Sequence, residues 1–404
     1  MIRRYDVVVV GGGMVGLAFA LALAREGRRV GVIEAREPPA FAANDPYDLR
    51  VIAVNRAAQN LLTRLGAWTQ LHAWRVSPYQ HMVVWDAAGG GKIQFSAADL
   101  GEPNLGHIVE NRLLQLALLQ AARAQPGFDW LCPAALQSFA ADGKEVIVTL
   151  SDGRHLIAPV LVGADGAQSQ VRAHAGIEQR LTDYGQRAIV CIARTEAPNQ
   201  QTAWQRFLPY GVLAFLPLQN DLSSIVWSVE DERVDGLLAL GDEDFAVALT
   251  EAFDTRLGRV TEVGPRAAFS LRARHAERYI ANRVALIGDA AHTIHPLAGQ
   301  GANLGFLDAA TLAETLLGTR RDAGSRLVLR RYERARAGEN VLMQRAMEGF
   351  KWLFGTQVQP LPWVRNTGLN LVDRAAPLKH ALMRQAMGLQ GELPALARPV
   401  VAQN

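Results

Sequence analysis

Three glycines, Gly11, Gly13 and Gly16, stand in the spacing Gly-x-Gly-x-x-Gly, with Met14 and Val15 between the second and third. Glycines so placed let a chain turn tightly and bring backbone N–H groups close to a pyrophosphate at a helix start. Glu34 follows 23 residues after Gly11. A carboxylate at that distance accepts hydrogen bonds from both hydroxyls of an adenosine ribose and repels a 2′-phosphate. This pattern fits FAD and NAD equally. Two further groups of residues separate them. Asp165 stands in Gly163-Ala164-Asp165-Gly166, and Asp289 in Gly288-Asp289-Ala290-Ala291-His292. An acid beside glycine at a strand end can take a hydroxyl of a ribityl chain. The run Pro296-Leu297-Ala298-Gly299-Gln300-Gly301-Ala302-Asn303 leads into a second helix start, whose backbone donors and positive dipole end suit an anion. Reduced flavin is such an anion around N1 and the C2 oxygen, and a protein binding NAD alone has no use for this second site.

The elements that must carry these residues are legible around them. Residues 5–10 are short and β-branched, as a strand buried on both faces should be, and residues 14–25 are rich in Ala and Leu, which favour helix. Residues 30–34 form the second strand. Read alone, residues 7–24 carry no charge and follow Arg3 and Arg4, which imitates a signal peptide or a short membrane span. Asp6 and the triplet Gly11 to Gly13 argue for strand, turn and helix instead. Residues 156–162 and 283–287 predict two more strands, each ending at one of the acids, with a helix running on to about Leu317. Residues 190–229 alternate in short runs punctuated by Pro and Gly, and residues 80–95 read as another antiparallel pair. A sheet built from 71–104 and 181–279 then forms a domain inserted twice into the dinucleotide-binding one, with ligand between sheet and cofactor. Phe207, Tyr210, Phe215 and Pro217 are candidates to line that pocket, or else belong to the sheet core.

Composition narrows the chemistry. At roughly 150 residues per domain, 404 residues predict two or three domains. Cys132 and Cys191 are too few for a disulfide framework or a zinc site and point to a reducing, cytoplasmic compartment. The balance of 42 basic and 39 acidic residues gives no nucleic-acid footprint. His292 and His295 lack a third ligand at metal spacing, so no metal is expected. Cys191 lies in an apolar strand and reads as a buried thiol, and Ser169 lacks the Gly-x-Ser-x-Gly elbow of a hydrolase. No side chain is a certain catalyst. The tail from residue 339 predicts helices with an apolar cluster (Met343, Met347, Phe350, Trp352, Leu353, Phe354) and the basic residues Arg374, Lys379, His380 and Arg384. Its simplest role is packing over the protein's own core; contact with a membrane surface or a partner is the alternative.

The sequence resembles the flavin-dependent aromatic hydroxylases of group A, and within them the ubiquinone-biosynthesis branch of UbiH/UbiF/UbiI (VisC) type. The resemblance is carried by GGGMVG at 11–16, DLRVIAVN at 48–55, HIVENR at 107–112, GADGAQSQVR at 163–172 and GDAAHTIHPLAGQGANLGFLD at 288–308. It implies an α/β fold: a Rossmann-like FAD-binding domain (1–70, 105–180 and 280–338), an inserted antiparallel-sheet substrate domain (71–104 and 181–279) and a helical C-terminus (339–404). It also implies that Gly11, Gly13, Met14, Val15, Gly16, Glu34, Ala35 and Arg36 hold the ADP half of FAD, and that Arg50 and Arg112 lie near the pyrophosphate and ribityl chain. Asp165, Gly166, Gly288 and Asp289 would serve the pyrophosphate and ribityl region, while Pro296, Gly299, Gln300, Gly301, Ala302 and Asn303 would pass the isoalloxazine ring. NADH or NADPH would bind transiently, since only one glycine fingerprint is present. The implied reaction is hydroxylation, with O2, of a polyprenylated phenol or benzoquinol, and association with a membrane or with other quinone-biosynthesis proteins is part of the picture. A hydroxylase of another phenol, or a flavoprotein kept as a scaffold in a biosynthetic complex, remain the rivals.

Overall fold

The structure, a computed structural model, describes residues 2–294, 299–355 and 361–399. Among these residues the strands form four sheets. The central one has the order Ile280–Ala281, Val284–Leu286, Val160–Gly163, Val7–Val10, Val30–Ile33, Phe128–Leu131, and every pairing except the first is parallel. Both faces are covered, which is why its strands are unbroken runs of Val, Ile and Leu rather than alternating ones. Helix Met14–Ala24 crosses from one middle strand to the next and is buried at every position from Gly16 onward, between helices Asn111–Arg123 and Gly301–Leu317.

The expected strand over 5–10 is shortened to Val7–Val10, and a further strand precedes it. Ile2–Arg4 pairs with His155–Ala158 in a separate four-stranded sheet, and Val7–Val10 alone enters the central one. Asp6 marks the break, its carboxylate accepting from the Arg29 amide at 2.8 Å.

The largest sheet runs His292–Thr293, Ala267–Ala276, Gln179–Thr195, Leu222–Glu230, Gly211–Pro217, Thr202–Leu208, His81–Asp86, Lys92–Ser96, with Val260–Val263 added beside the long strand. One face is sealed by helices Asp231–Ala239 and Asp242–Ala252 over Leu213, Phe215, Ile225 and Trp227. The other face looks toward the central sheet. A small sheet of Val51–Val54, Gly106–Glu110 and Ser77–Tyr79 stands at the junction.

The C-terminal helices do pack over the protein's own body. Helix Arg326–Gly355 begins before the expected tail and runs unbroken through residues 338 and 339. Helix Leu361–Arg374 lies along the edge strand Lys92–Ser96: Asn366, Asn370 and Asp373 accept from the amides of Gly91, Lys92 and Gln94 at 2.6, 3.1 and 3.0 Å. Side chains at helical spacing thereby satisfy an edge that would otherwise invite another strand.

Candidate active site

Two helix starts converge on one cavity of about 440 Å3. Helix Met14–Ala24 follows Gly13 with no side chain capping it and no acid in its first turn. Helix Gly301–Leu317 likewise has no side-chain cap among the described residues. The leading N–H groups of both helices thus lack partners from the chain, and both dipoles point their positive ends at the space between. Gly13, Met14 and Val15 line it together with Gly288, Asp289, Gly299, Gly301 and Ala302, and a Cβ on Gly288 would lie 3.2 Å from Val15, so the two helix starts form one continuous wall.

The three fingerprint glycines do different work. A Cβ on Gly11, whose φ is +106°, would lie 2.3 Å from the carbonyl oxygen of Ala164, and one on Gly16 would lie 2.1 Å from that of Gly11. These two allow strand and helix to approach. Gly13 has nothing within 4 Å of a Cβ, so its openness serves the cavity and not the packing. Glu34 ends the second strand, with Oε2 accepting from Gly12 N–H at 2.7 Å and Oε1 from Arg36 N–H at 3.1 Å. Ala35 and Arg36 follow it, both exposed.

The two acids differ. Asp289 lines the cavity and is open to solvent through it, though protein crowds around it. That desolvation raises its pKa, against the pull of His292, Arg50 and Arg274; access to water keeps the rise in check. Asp165 is turned to a structural task. Its Oδ2 accepts from the amides of Gln170 and Val171 at 2.7 and 3.1 Å, capping helix Gln170–His174, while its Oδ1 is buried without a partner. Ala164 and Gly166 line the cavity beside it.

The remaining expected residues divide the same way. Arg50 lines the cavity, with its guanidinium 6.0 Å from the centre of the Phe269 ring. Arg112 does not; it pairs with Asp45 at 3.2 Å and reaches the Ala40 carbonyl. Its neighbour Asn111, unnoticed in the sequence although inside the HIVENR motif, lines the cavity and keeps a buried Oδ1 without a partner. Asn303 is buried, accepting from Asn55 N–H at 3.1 Å and donating to the Ala53 carbonyl at 2.8 Å, so it fastens the helix start to strand Val51–Val54. Gln300 faces the C-terminal helices, within 3.5 Å of the Ala386 carbonyl. Pro296 and His295 lie outside the described residues.

Behind the Gly288–Asp289 turn is a charged cluster that local sequence signals do not reveal. Asp308, fully buried, accepts from His292 Nε2 at 2.5 Å, Arg336 Nε at 2.8 Å, Asn340 Nδ2 at 3.1 Å and the Gly288 amide at 3.2 Å. Burial alone would push its carboxyl up, but His292 and Arg336 outweigh it and hold the pKa at about 2. Asn340 also reaches the Tyr279 hydroxyl, and Tyr332 donates to the Leu286 carbonyl at 2.7 Å. His292 is thus engaged by a carboxylate, and among the described residues no group of three or more His, Cys, Asp or Glu could hold a metal.

The candidates for the substrate wall require correction. Phe215 is fully buried on the reverse face, stacked on Phe253 with ring centres 3.7 Å apart. Pro217 is buried on that same side of the strand, and Tyr210 packs against the same core with Arg233 3.6 Å above its ring. Phe207 lies on the cavity side of its strand but beyond the cavity, covered by Leu353, Leu369 and Val372. The wall is made by the alternate residues Val212, Ala214 and Leu216, with Ala203, Gln205, Val226, Ser228, Met82 and Tyr79. Side chains alternate faces along a strand, and Phe215 and Pro217 are of the wrong parity, while Phe207 has the right parity but lies past the cavity's end.

Open space beyond Gly13, two uncapped helix starts, a carboxylate at the second strand's end and another inside the cavity make a donor set that fits an anionic dinucleotide with a flavin ring. Residues 4–346 match the FAD-binding domain family. The chain belongs to that family. It is 40% identical over 401 residues to the ubiquinone hydroxylase UbiL of Rhodospirillum rubrum, covering 98% of this chain and 93% of that protein. To the 3-demethoxyubiquinol 3-hydroxylase of Escherichia coli it is 38% identical over 387 residues, covering 95% and 98%. The crystal structure of p-nitrophenol 4-monooxygenase from Pseudomonas putida superposes with a TM-score of 0.79 over 97% of this chain and 100% of that one, at 20% identity, a likeness of fold. The protein is an FAD-dependent aromatic hydroxylase with NAD(P)H as electron donor.

Proposed function

We propose that this hydroxylase acts on the ring of a polyprenylated phenol or benzoquinol in ubiquinone biosynthesis, consuming NAD(P)H and O2. The observation that carries this reading is the single cavity joining the helix-start wall to an apolar sheet wall with few polar groups. Such a space takes a hydrophobic ring and orients it by a small number of hydrogen bonds. The names of the two curated relatives point to the same substrate class.

FAD supplies, when bound, the electron storage and oxygen activation that no side chain here offers. The chain's residues do the rest. In this reading the N–H groups at the start of helix Met14–Ala24 hold the pyrophosphate, Glu34 the adenosine ribose and Asp289 the ribityl chain, with Arg50 beside them. The start of helix Gly301–Leu317 stabilises negative charge gathering at the ring's N1 and C2 oxygen. Gln300, Asn303, Arg112 and Asp165 shape this wall from behind. Residues 1–70, 105–180 and 280–338 form the FAD-binding domain, 71–104 and 181–279 the substrate sheet, and 339–404 the helical cover.

No described helix is long and apolar enough to cross a membrane. Leu371, Leu378 and Leu382 are exposed on the last two long helices with Arg374 and Arg384. This face is the proposed peripheral contact by which a cytoplasmic protein reaches a prenylated substrate. Sedimentation with anionic vesicles that weakens in Leu378→Ser/Leu382→Ser tests it; equal sedimentation of both proteins discards it.

Mass spectrometry of the quinone pool in cells lacking the gene tests the function. Accumulation of a prenylated phenol or quinol short of one hydroxyl, restored by the gene, is expected. An unaltered pool, together with no NAD(P)H oxidation by purified holoenzyme on prenylated phenols, overturns it.

A further inference from the structure

The three strands over the middle of the cavity present almost nothing polar to it. Gly211–Pro217 contributes Val212, Ala214 and Leu216, Leu222–Glu230 contributes Val226, and Thr202–Leu208 contributes Ala203. Two exceptions stand on the outer strands, Gln205 and Ser228, which are 8% and 4% exposed. Parity confirms their direction. Trp204, Leu213, Phe215, Ile225, Trp227 and Val229 belong to the core on the reverse face, so residues one step away from them face the cavity. Neither Gln205 nor Ser228 makes a side-chain hydrogen bond among the described residues, and the residues beside them on the cavity side of these three strands are apolar. The Gln205 amide and the Ser228 hydroxyl therefore open into the cavity instead of being sealed in protein, and Leu or Met in their place would offer a ligand nothing to bond. The position makes sense when a ligand completes it.

The register fixes their arrangement. Gln205 lies opposite Ala214, which lies opposite Val226, while Ser228 lies opposite Val212 in the next row. Two strand spacings, about 10 Å, separate the two polar residues across the sheet. Between them Ala214 has the smallest side chain of its strip and leaves a shallow floor on which a flat ring can rest. The flavin-facing wall, with Gly288 and Asp289, is on the other side of the same cavity.

We propose that Gln205 and Ser228 read the oxygen substituents of the substrate ring from opposite edges. Gln205 accepts from the ring hydroxyl that makes the substrate electron-rich, and Ser228 pairs with an oxygen across the ring. Together they fix the in-plane rotation of the ring, and so which carbon is presented to the cofactor. They are specificity residues; neither transfers a proton in this account. The assignment rests on the aromatic-substrate reading above and goes further by naming what orients the ring.

The test uses FAD-loaded protein under argon and follows the flavin absorbance change on titration with three probes: 2-geranylphenol, its O-methyl ether and 2-geranylhydroquinone. Wild type should bind the phenol about tenfold more tightly than the ether, and the hydroquinone about fivefold more tightly than the phenol, as expected where a built hydrogen-bonding site is left unpaired. Gln205→Leu should bring the phenol-to-ether ratio near one while keeping wild-type flavin occupancy. Gln205→Glu, which keeps an acceptor, should restore the preference. Ser228→Ala should erase the hydroquinone preference alone. The assignment is overturned if Gln205→Leu and Gln205→Glu discriminate as wild type does, or if either purifies without flavin, which would place the amide on the cofactor. If wild type hydroxylates prenylated phenols yet the variants match it, only this assignment falls. If wild type neither hydroxylates the probes nor distinguishes them, the substrate reading falls with it.

Discussion

The two walls of the cavity are held in place by different physics. The helix-start wall owes its shape to backbone: glycine contacts that no Cβ could share, and a turn at Gly288 bolted from behind by the buried Asp308, His292 and Arg336. The sheet wall owes its shape to packing, with small cavity-facing residues carried on strands whose reverse face is a close-packed aromatic core. A wall that must present N–H groups to an anion needs exact backbone positions, and buried charges supply a directional fastening. A wall that must accept a hydrophobic ring needs only a shape, and its own side chains can change while the reverse face holds it.

The largest expected effect probes the fastening. Asp308→Ala leaves His292 buried without its carboxylate and Arg336 with only the half-exposed Glu339, which should cost about 3–5 kcal/mol of stability and also release flavin. Chemical denaturation of the flavin-free protein reads the first effect, and a loss below about 1 kcal/mol would make the cluster no more than a surface-like pair. Acid should reproduce the effect in wild type. The folded pKa of Asp308 is about 2 against an ordinary 3.8, so its stabilisation is complete above the unfolded value and disappears as pH falls toward 2.

The sheet wall should respond in the opposite order. Phe215→Ala opens a hole in the reverse-face core and should cost about 3–4 kcal/mol with flavin occupancy unchanged in the folded fraction. Ala214→Phe, one residue along, points into the cavity and should shift stability by less than about 1 kcal/mol while abolishing binding of prenylated phenols. Equal destabilisation by the two would mean that the strand's parity had been assigned wrongly.

This contrast also explains what could be read from the sequence. Gly11, Gly13, Gly16 and Glu34 belong to one strand–turn–helix–strand unit, so distance along the chain maps directly onto distance in space. The acid at 289 was legible for the same reason. The cavity-facing residues of Gly211–Pro217 were not, because both faces of that strand are apolar: the difference between Phe215 and Ala214 is one of size, and the deciding partners, Phe245 and Phe253, arrive 30 to 38 residues later. Arg336 lies 28 residues beyond Asp308 in a helix crowded with arginines, where nothing local distinguishes the one that is buried. The C-terminal helix that satisfies the edge amides of Gly91, Lys92 and Gln94 lies some 280 residues from them, and only the fold brings them together.

Within the helix-start wall, Gly13→Ala separates ligand space from packing space. Because no described residue beyond its chain neighbours comes within 4 Å of the added methyl, the flavin-free variant should match wild type in stability to within about 1 kcal/mol. Flavin affinity should fall at least tenfold. Gly16→Ala should instead fail to fold normally, since its methyl would meet the Gly11 carbonyl. If Gly13→Ala retains flavin at wild-type affinity, the pyrophosphate does not pass there.

Asp289 gives the subtlest version of the comparison, a residue whose charge works against the fold and for the ligand. Its folded pKa is raised, so the folded state holds the proton more tightly than the unfolded one. The ionised form therefore costs stability at neutral pH; that cost shrinks as pH falls through the raised value and is gone below the ordinary 3.8. Because water reaches the side chain through the cavity, the cost is small. Asp289→Asn should leave the flavin-free protein as stable as wild type or slightly more so, with a melting temperature that rises relative to wild type as pH increases from acid to neutral. Flavin should be held about tenfold more weakly, the loss of a charge-assisted hydrogen bond to a ribityl hydroxyl. Wild-type retention should weaken in acid as the carboxylate takes up its proton, while retention by the variant stays flat over the same range. A variant that keeps wild-type flavin affinity at neutral pH would show that the exposed acid is not a ligand group, and that the wall holds its cofactor through backbone alone.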